Sequence, residues 1–148
     1  MNSLKRQNDF ISGQIRRASE LAYVEGAQDA SGLLACLHSF IRYLQQDAEW
    51  VPLSDEMKAV DDYIALCRLG DGARGLALPD TRSCFVRRMM LVDAVMQACP
   101  PDSRADAPGA EFDIRVEVAD ADGRRRLILT VDKALPAGKE QLRRQWDL

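Results

Sequence analysis

The chain has 148 residues, room for one ordinary domain or two small ones sharing a core. Apolar residues make up 47% and charged residues 29%, a balance that excludes disorder, and a net charge of −3 gives no electrostatic reason to expect a nucleic-acid partner. No apolar run approaches the ~20 residues of a membrane span, and MNSLKRQNDF at the start lacks the apolar core of a secretory signal, so the expected location is the cytoplasm.

Helical spacing governs the first half. Ile11, Ile15, Ala18 and Ala22 recur at 4-3-4 spacing, the narrow seam of a coiled coil. EGAQDASG, residues 25–32, ends that helix near Gly26, and a second seam of Leu33, Leu34, Leu37, Ile41 and Leu44 follows. Two antiparallel helices of this kind leave apolar faces uncovered, which calls for a second copy or a following domain against them. Trp50 is expected to plug the junction with the next helix. Pro52 interrupts the chain, and Ser54 is the expected N-cap of a third helix. Asp55 and Glu56 suit its positive first turn, and Met57, Val60, Ile64 and Cys67 form its apolar stripe.

GDGARG, residues 70–75, is a glycine-rich break and the expected domain boundary, dividing the chain into a helical region 1–70 and a second domain 71–148. It lacks the lysine and the context of a phosphate-binding loop, so a turn is expected. Leu76 to Leu78 reads as a short strand. Phe85 to Ala98 reads as a helix with Phe85, Met89, Val92 and Met96 on one core-filling face. After the loop PPDSRADAPGA, Phe112, Ile114, Val116 and Val118 alternate with charged residues. DADG turns the chain, and Leu127, Leu129 and Val131 alternate back. The result is a hairpin with one apolar face, which the preceding helix can cover. The tail from Lys139 is charged, with Trp146 as its anchor.

Cys36, Cys67, Cys84 and Cys99 are scattered without a C-x-x-C pair and read as reduced, mostly buried thiols. With His38 as the one histidine, no metal site is expected. The arginine clusters at 87–88, 124–126 and 143–144 sit among acids and read as solvated faces.

The order helix, helix, third helix, glycine break, helix and hairpin resembles the cytoplasmic part of LytS-type sensor histidine kinases. In that family a dimerising helical hairpin ends in a Leu-Leu-Arg-Tyr-like segment, matched here by Phe40, Ile41, Arg42 and Tyr43. A Val-x-Leu-x-x-Glu run leading to Tyr-Leu is matched by Val51, Leu53, Glu56, Tyr63 and Ile64. Arg68-Leu69-Gly70-Asp71 is similar to the Arg-Phe-Gly-Asp that closes the segment, two residues early. The resemblance covers residues 30–71 best and 85–131 more weakly. It implies an α+β fold: an N-terminal antiparallel helical hairpin plus third helix, then a truncated α/β sandwich of the histidine-kinase ATPase (GHKL) type.

The catalytic positions depart from the family. QNDFISG aligns Asp9 with the phosphoacceptor histidine, and a carboxylate cannot form a phosphoramidate. VDAV places Asp93 where the family's asparagine helps to hold Mg²⁺. In VDKALPAG, Asp132 or Lys133 takes the place of the adenine-binding aspartate, and Leu135 replaces a glycine needed where backbone lies close to nucleotide. The ten residues that follow are expected to leave no room for an ATP lid. The expectation is a pseudokinase that binds no cofactor and carries out neither autophosphorylation nor ATP hydrolysis. It would act as a homodimer on a response regulator or sensor kinase of bacterial two-component signalling. His38, beside Leu34 and Ile41, is expected to pack in the helical seam. The alternative makes it the phosphoacceptor of a histidine phosphotransferase.

Overall fold

The computed structural model describes residues 6–148 except 8, 12, 16, 19–26, 71–72, 77–83 and 108. The protein is a mixed α+β chain in two compact units, Met1–Gln46 and Asp47–Leu148. The third predicted helix therefore belongs with the sheet, whereas the glycine-rich segment that sequence reading takes as the boundary lies inside the second unit.

In the first unit the described residues between Arg6 and Ala18 are helical, and α1 spans Ala27–Leu44. The expected seams are rotated about their helices. Phe10, Gln14 and Ala18 are buried, while Ile15 is 50% exposed; Ala22 lies outside the described residues. On α1, Leu37, Phe40 and Tyr43 are buried and Leu34 is 50% exposed. The large aromatic residues decide this phase. Phe10 meets Phe40 edge to face, with centroids 5.3 Å apart, and burying those rings removes more apolar area than burying Ile15 or Leu34 would.

The second unit begins with β1 (Trp50–Pro52), which runs directly into α2 (Leu53–Cys67). Ser54 does not cap this helix: Pro52 stands at the N-cap, and Leu53 donates its amide to the Cys84 carbonyl at 2.6 Å. The chain leaves α2 through Arg68, whose left-handed backbone lets Arg68 and Leu69 donate to the carbonyls of Ala65 and Ile64. Short strands β2 (Arg74–Leu76) and β3 (Phe85–Arg87) precede α3 (Met90–Ala98) and the one-turn α4 (Ser103–Asp106). Phe85 to Arg87 is thus a strand antiparallel to β1, not the first turn of a helix. Val51 and Val86 point inward from this ribbon, and Trp50 and Phe85 point outward, 59% and 55% exposed. Trp50, expected as a buried plug, is instead exposed, with the Arg87 guanidinium over its ring at 6.0 Å.

Three long strands complete the unit: β4 (Glu111–Ala121), β5 (Arg124–Leu135) and β6 (Gly138–Asp147). The sheet order is β2-β4-β5-β6, parallel at β2–β4 and antiparallel elsewhere. Asp122 and Gly123, both at positive φ, make the tight turn between β4 and β5. Ile114, Val116 and Val118 stand opposite Val131, Leu129 and Leu127, and all six are buried. α3 packs on β5, and Arg144 on β6 donates to the Gln97 side chain of α3 at 2.9 Å. The charged tail is therefore a third strand of the meander.

Candidate functional site

The family-matching segment is built around one buried carboxylate. Glu56 sits in the first turn of α2, fully buried, and accepts from the amides of Met89 (2.9 Å), Leu91 (2.7 Å) and Val92 (3.0 Å). These are the amides that the start of α3 leaves without intrahelical partners, at the positive end of the helix dipole. Met89 adopts φ 72, turning its own amide into the cluster. Two turns along α2, Tyr63 is also fully buried, and its hydroxyl donates to the Cys99 carbonyl at 2.6 Å, just past the last residue of α3. Both ends of α3 are thereby tied to one face of α2, and the two helices run side by side in the same direction.

The other family-matching residues divide by burial. Val51, Leu53, Ile64, Phe40 and Tyr43 are core, Ile41 is half-buried, and Arg42 is exposed. Arg68 closes α2, and Gly70 follows at φ 128, a backbone conformation that favours glycine. Asp71 lies outside the described residues.

The three positions that align with the family's nucleotide site do not converge. Asp93 is exposed on α3. Asp132 and Lys133 are neighbours on β5 and so face opposite sides of the sheet. Asp132 accepts from the Arg115 guanidinium at 2.5 Å and from the Gln141 side chain at 2.7 Å. Lys133 faces the helix-covered side, near Cys99. Burial pushes the Cys99 thiol up from its ordinary value, opposed by a smaller downward pull from the Lys133 ammonium.

At the hairpin end of the sheet lies an open depression of ≈ 550 Å³. Glu111, Asp113, Asp132 and Glu140 line it with Lys133 and Lys139, so carboxylates outnumber ammonium groups where a triphosphate would need the reverse. Nor can the start of α3 receive a phosphate, because Glu56 already holds its amides.

His38 is exposed on α1, not packed in a seam, and Arg42, one turn on, is exposed as well. Asp9 is exposed in the preceding helical stretch. Among the described residues no cluster of His, Cys, Asp and Glu has the makings of a metal site, and no helix is long and apolar enough to cross a membrane. All four cysteines are unbridged; Cys67, Cys84 and Cys99 are buried and Cys36 is half-buried.

Sequence reading missed the roles of Arg115, Gln141 and β6. The shared parity of Leu142 and Trp146 is the signal that identifies a strand in the tail, and once β6 is placed Gln141 falls opposite Asp132. The sequence matches no protein-family model and no curated protein.

Proposed function

We propose that this chain is a catalytically inactive, LytS-like histidine-kinase relative, a homodimeric binding module of two-component signalling. The helices of the first unit form a four-helix bundle with a second copy, and the second unit is an ATPase-like sandwich. One observation carries the inactive reading. Residues 132–138, where the family opens its nucleotide loop, here run through β5, the two-residue loop Pro136-Ala137 and the start of β6 in an unbroken antiparallel ladder. The amides of residues 132–135 and of Gly138 are taken up by the β4–β5 and β5–β6 ladders and cannot cradle phosphates. The roles of Val51, Leu53, Glu56, Tyr63, Ile64 and Arg68 in holding the second unit support the resemblance, and the half-exposed Ile15 and Leu34 support a second copy against the first. Calorimetry with Mg-ATP and with ADP tests the reading: neither heat nor a rise in Tm is expected, and a rise would overturn it. In the same preparation, a LytTR-type response regulator should bind without phosphate exchange.

The exposure of His38 favours a second reading, a phosphotransferase. An imidazole nitrogen would attack the phosphorus of a regulator's aspartyl phosphate, the carboxylate would leave, and Arg42 would neutralise part of the phosphoryl charge. Acid-labile label on the wild type that is absent from His38→Leu would establish it and displace the binding-only reading.

A further inference from the structure

We infer that the open edge of β6 pairs antiparallel with β6 of a second copy, joining two four-stranded sheets into one across a two-fold axis at Leu142. β6 is a ten-residue strand at the end of the sheet order, whereas β2 at the other end has three residues. Its backbone phase follows from the Leu148 amide, which donates to the Arg125 carbonyl. Hydrogen-bonded pairs alternate along an antiparallel ladder. The even-numbered residues of β6 therefore bond to β5, and the odd-numbered residues from Lys139 to Asp147 turn their amides and carbonyls to the open edge.

Two such edges can meet only odd to odd, so the two-fold axis must pass through a residue and not between two. With the axis at Leu142, Glu140 faces the second copy's Arg144, and the reciprocal pair forms as well. Leu142 meets Leu142, Trp146 covers Gly138, Gln141 faces Arg143, and Lys139 faces Gln145. Every charge from Lys139 to Arg144 is opposed by an opposite charge or an amide. The neighbouring axes fail on charge. At Arg143, Glu140 or Arg144 the axial residue meets its own like charge, and at Gln141 Lys139 faces Arg143 while Glu140 faces Leu142. The side chain of Glu140 has no hydrogen bond or ion pair among the described residues, and Arg144, whose guanidinium already donates to Gln97, has further N–H groups to meet it. Leu142 and Trp146, half-buried on the helix-covered side, would lose their remaining exposure.

Sedimentation of the full chain carrying Leu34→Glu, which removes the exposed apolar residue of α1, reads this edge separately from a helical dimer. A dimer is expected at tens of micromolar. Glu140→Arg or Arg144→Glu alone should weaken it about tenfold or more, since each creates two like-charge pairs, and the double exchange should restore it. Leu142→Cys should form a covalent dimer above the wild-type background, because axial α-carbons in this pairing lie ~4.5 Å apart; Gln145→Cys should not. A monomeric protein, a dimer indifferent to the single reversals, failure of the exchange to restore it, or equal cross-linking at 142 and 145 would each overturn the proposal.

Discussion

Glu56 is the residue on which most of the second unit's order converges. Removing its carboxylate strands three buried amides at the start of α3, and each buried donor without a partner costs about 1–3 kcal/mol. Glu56→Ala should therefore lose about 3 kcal/mol or more, measured as a shift in denaturant midpoint. Glu56→Gln should lose less, since it keeps one acceptor oxygen but brings an amide N–H against donors. His38 gives the opposite expectation. Its side chain is exposed, so His38→Leu and even His38→Asp should change stability by less than about 0.5 kcal/mol. At Cys99 the thiol is held neutral by burial. Below the ordinary value of 9.0 both folded and unfolded states keep the proton, and pH has no effect through this group. Above it the unfolded chain ionises first, so stability falls as pH rises towards the raised folded value. Cys99→Ala should flatten that alkaline limb in Tm measured between about pH 8 and 10.

At the scale of elements, α2 and α3 form one unit with different kinds of ends. α2 stops at a left-handed residue that is not glycine, Arg68 at φ 55. That conformation costs an L-residue about 1 kcal/mol that glycine does not bear. Arg68→Gly should raise stability by up to about 1 kcal/mol in thermal melts, and no change would mean that the arginine side chain offsets the strain. α3 has nine residues, too few to persist in water alone, so it depends on Glu56, Tyr63 and the sheet. This explains why its predicted start at Phe85 is displaced. Phe85 and Val86 have the β-preference to pair with β1, and the turn at Met89 brings the amides onto Glu56.

For the whole molecule, the division at Gln46–Asp47 makes a prediction that the glycine-rich boundary does not. A chain beginning at Asp47 should retain a cooperative melt, because β1, α2, α3 and the sheet share its core. One beginning at Gly70 should not, because it lacks Glu56, Tyr63 and the β1 partner of β3. Circular dichroism and one-dimensional NMR would distinguish them, and a folded Gly70 chain would refute the role given to α2.

Elements whose pattern is local were legible in the sequence. The alternation of Ile114, Val116 and Val118 against Leu127, Leu129 and Val131, with Asp122-Gly123 between, places β4 and β5 and their turn, because strand parity and turn chemistry act over a few residues. The span of α2 follows from its own stripe, with only its cap misplaced. Tertiary structure alone decided the rest. Which face of α1 is buried depends on Phe10 finding Phe40, a contact thirty residues away along the chain. That choice put His38 in solvent, where local spacing placed it in a seam. The role of Glu56 could not be read from α2 by itself, since a carboxylate in a first helical turn normally serves its own helix, and here the amides it serves lie more than thirty residues further on. β6 is a strand because β5 offers it an edge, and a charged sequence pairs there once Leu142 and Trp146 can share the covered face.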